Sequence, residues 1–328
     1  MHASPLASVV IPTYNRATLL GKTLDRLAEL RPQFGAWDVV VVDNNSTDNT
    51  SEAVGSRIGA FPVPLRYVFE RAQGRSFALN AGIAASTAPL LVFTDDDVLV
   101  GDRWLDAAVA PLLDAGPIDY TGGPVRPIWE APRPAWLAGD RADLWGTIAI
   151  LDYGPEPFMF EERRRVPLGA NMAVRRDLFN RIGPFNGRLG RCGEQLLGQE
   201  VPEFLSRSRA AGARGLYAPE MVVDHHVPAG RLTKSYFRRW WFGKGVSRAQ
   251  LDRLRPTTEL GVDLTQAPHV GGLPVFMWRS AAGDVRGWLT SAFDEEKRFR
   301  HETMLWYFAG YLSARRRESE ALHPATAN

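Results

Sequence analysis

Apolar residues fall in two alternating rhythms along the first part of the chain. Short runs, Ser8 to Pro12, Trp37 to Val42 and Leu90 to Phe93, lack the polar alternation of a half-exposed strand and predict strands buried on both faces, and Leu65 to Glu70 predicts a further strand. Between them Leu19, Leu20, Leu24, Leu27 and Leu30 recur at helical spacing, and Asn44 to Asp48 predicts a turn able to cap a second helix. Gly74 to Ser86 predicts a third helix, with small residues that permit close packing on a sheet. The order β-α-β-α-β-α-β up to Thr94 is that of a parallel sheet covered by helices.

Further on the rhythm loosens. Trp104 to Leu113 predicts a helix and Tyr120 to Val125 a short strand or turn. Pro127 to Pro157, with Trp129, Trp136 and Trp145, predicts a long functional or mobile loop. Val166 to Val174 predicts a strand broken at Gly169, where a backbone or ligand approaches closely. Helices follow at Arg176 to Ile182 and at Val201 to Ala211, the latter closed by Gly212, and short strands at Leu216 to Pro219 and Met221 to His226. From Thr233 to Leu254 a helix carries Tyr236, Phe237, Trp240 and Trp241 on one face, interleaved with Arg238, Arg239, Lys244 and Arg248. A Pro/Gly-rich connection from Arg255 to Pro274 leads to a last helical region, Val285 to Arg317.

Composition adds exclusions. The 328 residues are 45% hydrophobic and 23% charged, the profile of an ordinary globular protein, and the net charge of +2 offers no global field for nucleic acid. A lone cysteine, Cys192, excludes an intramolecular disulfide framework and any multi-cysteine metal site. Val9-Val10-Ile11 is stopped by Pro12 before it reaches signal-peptide length, and no apolar run approaches the roughly 20 residues that span a bilayer. The expectation is a cytoplasmic protein, with peripheral contact at the inner face of the membrane through the Thr233–Leu254 helix, or packing of its aromatic face on the protein, both open.

The candidate chemistry sits where the fourth run ends in Asp95-Asp96-Asp97. Ligands bind at the carboxyl ends of strands in open α/β sheets, and carboxylates at D-x-D spacing suit a hard divalent cation that keeps positions for water and phosphate. An extended backbone would point Asp95 and Asp97 one way and Asp96 the other. A solvated acidic turn is the competing account. Neither G-x-G-x-x-G nor G-x-x-x-x-G-K-S/T follows the first strand, so a nucleotide here is held differently from a dinucleotide or P-loop site. Asp43, ending the second strand, suits either a base or ribose contact or a capping role.

Five groups of residues in order carry a resemblance: Val9 to Arg16, Val41 to Asp48, Asn80 to Ile83, Phe93 to Asp97 and Gly169 to Ala173, followed by the Glu200-to-Gly212 segment and the His pair. The chain resembles a family-2-type glycosyltransferase of the GT-A fold over residues 7 to 228. The resemblance implies an α/β fold with a Rossmann-like, mostly parallel sheet flanked by helices. A glycosyltransferase domain at 1–230 would divide into a nucleotide-binding half (1–100) and an acceptor half (101–230), with a C-terminal helical extension at 231–328. It implies metal-dependent, inverting transfer of a sugar from a nucleotide-diphosphate donor, uridine being the family's commonest base, to a hydroxyl on a glycan or lipid-linked acceptor.

Residue by residue, Pro12, Thr13, Tyr14 and Arg16 match the loop lining the nucleotide pocket, and Asp43 the acid on the base. Asn80 and Asp96 fall in donor-binding motifs. Asp95 would face the sugar-nucleotide, Asp97 the Mn2+ or Mg2+ on its diphosphate, and Asn171 the transferred sugar or acceptor. Glu200 matches the general base, with Glu203 and Glu194 as alternatives if the register slips; charges favoured by the helix amino terminus are the plainer account. His225 or His226 would be a further metal ligand, a diphosphate contact or a structural pair. Leu79 stands where the family has Arg, and Arg75 one turn earlier offers that charge instead. Of the three acids, Asp96 is expected to tolerate change best. A non-catalytic nucleotide-sugar- or glycan-binding protein and a sugar-nucleotidyltransferase are the alternatives; the latter needs a Gly-rich basic loop that Pro12 to Arg16 does not provide.

Overall fold

The computed structural model describes residues 4–113, 116, 118–137, 142–163, 165–191, 196, 198–256 and 263–322. The chain begins with β1 (Ala7–Thr13), α1 (Ala17–Ala28), β2 (Trp37–Asp43), α2 (Thr50–Gly55), β3 (Leu65–Phe69), α3 (Arg75–Ala85) and β4 (Leu90–Thr94). It continues through β5 (Val98–Val100), α4 (Trp104–Leu113), β6 (Tyr120–Gly122), β7 (Val125–Trp129), α5 (Ala142–Trp145), β8 (Phe158–Met159), α6 (Phe160–Arg163), β9 (Asn171–Arg175) and α7 (Arg176–Ile182). Last come α8 (Glu200–Ala210), β10 (Gly215–Tyr217), β11 (Val223–Val227), α9 (Lys234–Leu254), the pair β12 (His269–Val270) and β13 (Leu273–Pro274), α10 (Val275–Thr290) and α11 (Glu295–Leu322).

Two compact units result. The first comprises the chain through Ile128, Ile148–Arg188 and Glu200–Val227. Its eight-stranded sheet has the order β3-β2-β1-β4-β9-β6-β10-β8. Strands β3, β2, β1 and β4 are parallel, β9 inserts antiparallel between β4 and β6, and β10 runs with β6 and against β8. The unbroken apolar runs serve two cores, one per face. Val9, Ile11, Val39, Val41 and Val92 pack with Leu20, Leu24 and Leu27 of α1, whereas Val10, Val40, Val42, Leu91 and Phe93 pack with Ala78 and Leu79 of α3 and Phe204 of α8. This is the two-residue period of a strand read from both sides. Gly82 shows how closely α3 lies on β1, because a Cβ there would stand 2.3 Å from Val10 Cγ1. A second sheet, β5-β11-β7, follows the acidic segment.

The second unit comprises Trp129–Thr147, Leu189–Gln199 and the chain from Pro228 on. Helix α9 opens with Thr233 Oγ1 accepting from Tyr236 N at 3.2 Å. Its Phe237 packs edge-on to Trp136 at 5.0 Å, and Trp136 in turn meets Phe299 at 4.8 Å. Gly245 and Gly310 let α9 and α11 approach, since a Cβ at either would lie 2.0 Å from a carbonyl of the other helix. Tyr236, Phe237 and Trp241 are therefore buried, and Trp240 is half-buried. No described helix is long and apolar enough to cross a membrane.

Three expectations need correction. The strand expected from Val166 begins only at Asn171, because the residues before it form a loop and turn around Gly169. The last helical region, expected from Val285, starts earlier and holds two helices: α10 starts at Val275, and Asp294 Oδ1, accepting from Lys297 N at 2.9 Å, starts α11 afresh. The stretch from Pro127 to Pro157 contains β7, 3-10 turns at Ala135–Leu137 and Gly146–Ile148, and α5.

Candidate active site

The site grows from the carboxyl ends of β1, β2 and β4. Thr13 and Asp43 are register partners there, and Thr13 Oγ1 donates to Asp96 Oδ2 at 2.7 Å. Beyond Thr94 the chain leaves the strand and turns into β5, so the three acids do not alternate as an extended segment would. Arg16 Nη1 reaches Asp96 Oδ1 at 3.1 Å and Asp97 Oδ2 at 2.5 Å, which places these two carboxylates on one side. Thr23 of α1 fixes the turn from below, donating to the carbonyls of Asp96 (3.1 Å) and Val98 (2.9 Å). Asp96 is 5% exposed and held by both Thr13 and Arg16, which counts against the expectation that it tolerates change best.

The electrostatics follow from that crowding. Burial pushes the Asp96 carboxyl up to about 6, with Arg16 pulling it down and Asp97 adding to the rise. Burial opposes the Arg16 charge, yet Asp96 and Asp97 outweigh it and hold the guanidinium above its ordinary value. Arg75 shows the same balance with Asp95 and Glu200.

Arg75 is the second organising cation. Its Nη2 donates to Asp95 Oδ1 at 2.6 Å and to the Gly169 carbonyl at 3.3 Å, and its Nη1 to Glu200 Oε1 at 3.1 Å. Gly169 leaves room for it: a Cβ there would stand 3.1 Å from Arg75 Nη1 and 2.8 Å from Val201. The close approach expected at Gly169 is thus made by a side chain. Glu200, first residue of α8, lies one guanidinium away from the acidic cluster. Glu203 has a different setting, gripping Arg207 at 2.9 to 3.1 Å while Arg207 donates to the carbonyls of Gly183 and Pro184. Glu194 and Cys192 lie outside the described residues.

The His pair divides. His225 is 2% exposed with Nε2 3.5 Å from Asp97 Oδ1, whereas His226 contributes its backbone N–H to the Asp97 carbonyl at 2.8 Å. Asp43 accepts from Ser46 N at 2.8 Å and from Tyr67 OH at 2.7 Å, so it shapes the loop after β2. Asn15, at φ +53°, ties the first loop to that second one by accepting from Thr47 N at 2.7 Å. Tyr14 beside it is 40% exposed, and Pro12 is the half-buried penultimate residue of β1.

Two asparagines are engaged inside the protein. Fully buried Asn171 accepts from Trp104 Nε1 at 2.8 Å and donates to the carbonyls of Pro124 (2.9 Å) and Met221 (2.6 Å). Asn80 exchanges two hydrogen bonds with the backbone of Phe185. Sequence reasoning missed Thr23 and Trp104. A threonine amid the leucines on the inward side of α1 was the available signal for the first; nothing local marked the second.

Residues 8–183, more than half of the chain, match the family model described as Glycosyl transferase family 2. The chain belongs to glycosyl transferase family 2. It is therefore an enzyme of the glycosyltransferase class. Among similar proteins is Glycosyltransferase AglE of Haloferax volcanii, 29% identical over 252 residues, 76% of each chain. Another is Validoxylamine A glucosyltransferase of Streptomyces hygroscopicus subsp. jinggangensis, 42% identical over 115 residues, 34% of this chain and 26% of that protein. The mannosyltransferase PcManGT from Pyrobaculum calidifontis, solved with GDP-Man and Mn2+, superposes with a TM-score of 0.55 at 20% identity, covering 99% of this chain and 77% of its own. A second solved transferase, with UDP, GalNAc and Mn2+, gives 0.55 at 15% identity over 99% of this chain and 59% of its own. The chain has the GT-A fold expected from the motifs, the fold it shares with these two structures.

Proposed function

We propose that this family-2 member is a metal-dependent, inverting glycosyltransferase that moves a sugar from a nucleotide-diphosphate donor to an acceptor hydroxyl. The observation that carries the reading is the Asp95–Arg75–Glu200 chain, in which one guanidinium holds a carboxylate at the sheet's ligand edge and a second carboxylate at the start of α8.

The residues fit a divalent cation of a particular kind. Asp97 and His225 bring oxygen and imidazole donors within 3.5 Å of each other, ligand types suited to Mn2+. Among the described residues no group of three or more His, Cys, Asp or Glu could hold a metal by itself. That suits an ion whose remaining positions go to water and to the donor's phosphates, as Mg2+-type ions prefer. Asp97 and His225 would hold it, with Asp95 facing the sugar-nucleotide, and it would supply positive charge against the leaving diphosphate.

The chain's own residues do the rest. Glu200 accepts the acceptor hydroxyl's proton as that oxygen bonds to the anomeric carbon, and the carbon–phosphate oxygen bond breaks with its electron pair leaving on the diphosphate. A single displacement on the face opposite the leaving group inverts the anomeric centre. Arg75 positions Glu200, and Arg16 sits beside Asp97 as a cation able to turn toward the diphosphate. Asp43, Tyr14 and Thr13 frame the nucleotide pocket, and uridine is the base proposed for it. The acceptor is a glycan or a lipid-linked sugar; the name of one similar protein, Glucosyl-dolichyl phosphate glucuronosyltransferase of Haloferax volcanii, accords with the second.

A panel of nucleotide sugars, tested for thermal stabilisation with Mn2+ and with chelator, identifies the donor, because a true ligand raises the melting temperature by mass action. Asp97→Asn is expected to keep the fold and abolish turnover. Full activity of that variant, or full activity in excess chelator, sinks the metal role.

A further inference from the structure

Strand β5 is the edge of its sheet, and backbone groups alternate between the two sides of a strand. Toward β11, the Asp97 carbonyl accepts from His226 N at 2.8 Å and Gly101 N donates to the Val222 carbonyl at 3.0 Å. The carbonyls of Asp96, Val98 and Val100 therefore turn the other way, where this sheet has no further strand among the described residues. All three residues are buried, so these carbonyls need donors that water does not supply. Helix α1 supplies them. Thr23 Oγ1 lies 3.1 Å from the Asp96 carbonyl and 2.9 Å from that of Val98, and Arg26 Nε, one turn on, donates to the Val100 carbonyl at 2.7 Å.

The two carbonyls that Thr23 takes belong to the residues on either side of Asp97. With His226 N on the carbonyl of Asp97 itself, three consecutive peptide carbonyls are fixed around this acid. A threonine inside a helix commonly turns its hydroxyl back to the carbonyl one turn before it, whereas Thr23 directs it to the acidic turn. Packing alone does not call for the hydroxyl. Thr23 is 1% exposed, on the side of α1 that buries Leu20, Leu24 and Leu27, where valine has the same shape and no polar group to satisfy.

We propose that Thr23 is a positioning residue for the metal: by fixing the backbone on both sides of Asp97, it holds that carboxylate where the ion meets it. The inference rests on Asp97 being a ligand of the divalent cation. Partners that orient a ligand in this way are worth about 10- to 100-fold in metal affinity.

The test is titration of the full chain with Mn2+ alone, read by electron paramagnetic resonance of the free ion. Thr23→Val, which keeps the shape and removes the hydroxyl, should bind Mn2+ about tenfold more weakly than the wild type, with the circular dichroism spectrum retained. Thr23→Ala replaces it if the valine variant does not fold. Thr23→Ser returns the hydroxyl and should bind as the wild type does. Leu178→Ala, a core truncation in α7 on the opposite face of the sheet from α1, should lower stability and leave Mn2+ affinity unchanged. Wild-type Mn2+ affinity in the folded valine or alanine variant overturns the proposal, as does a serine variant as weak as these or an equal loss in Leu178→Ala. Asp97→Asn in the same titration separates this failure from that of the metal assignment. If Asp97→Asn binds as tightly as the wild type, or the wild type does not bind Mn2+, the assignment of Asp97 falls and this inference with it. If Asp97→Asn loses the ion and Thr23→Val keeps it, this inference alone falls.

Discussion

At the scale of single residues, the site is a set of carboxylates each matched to a guanidinium. Three adjacent acids repel, and the protein answers with Arg16 on Asp96 and Asp97 and Arg75 on Asp95 and Glu200. For Asp97 this sets guanidinium against metal, because the carboxylate oxygen that Arg16 grips at 2.5 Å belongs to the proposed ligand. Arg16→Gln should therefore bind Mn2+ about tenfold more tightly in the absence of donor, the scale of one charge-assisted hydrogen bond. Electron paramagnetic resonance of free Mn2+ reads this directly, and unchanged affinity would remove Asp97 from the metal's surroundings. The acids were legible in the sequence because they end an apolar run. Their pairings were not, since the contacts of Arg16 and Arg75 span 20 to 125 positions and arise only when strand ends converge. Asn171 and Asn80 show the complementary limit: their side chains bond to distant backbone carbonyls that no local pattern reveals.

At the scale of elements, the strands were readable because both faces of β1, β2 and β4 are buried, which forces continuous apolar runs. The antiparallel insertion of β9 was not, because direction leaves no trace in a buried run. The α10–α11 boundary escaped notice although Asp294 before Glu295-Glu296 is an amino-terminal capping signal, since helical periodicity continued on both sides. The small residues of α3 did announce close packing. Gly82→Ala brings a methyl to 2.3 Å from Val10 Cγ1, so overpacking should cost about 1 to 3 kcal/mol despite the better helix propensity of alanine. Chemical denaturation measures this, and unchanged stability would mean that β1 and α3 can separate freely.

At the scale of the whole molecule, the first unit accounts for the family's motifs, while the second draws on two internal segments as well as the C-terminal helices. Of the aromatic residues of α9 that suggested either a membrane or a packed face, Phe237 packs against Trp136 and Phe299, and Trp241 meets Tyr307 edge-on, within the second unit. What remains exposed on α10 is a different surface, with Arg279, Arg286 and Leu289. The sequence marked the ligand edge of the sheet and the start of α8 as separate features; the structure joins them through Arg75. That junction makes the choice among glutamates testable, since Glu203 is engaged with Arg207 and the carbonyls around Gly183.

The most direct test is turnover of the donor by Glu200→Gln beside calorimetric donor binding by the same variant. The account predicts donor affinity close to that of the wild type and a fall in transfer of about 10²- to 10⁴-fold, the contribution of a general base. Wild-type turnover by Glu200→Gln, or the same loss produced by Glu203→Gln alone, would contradict it.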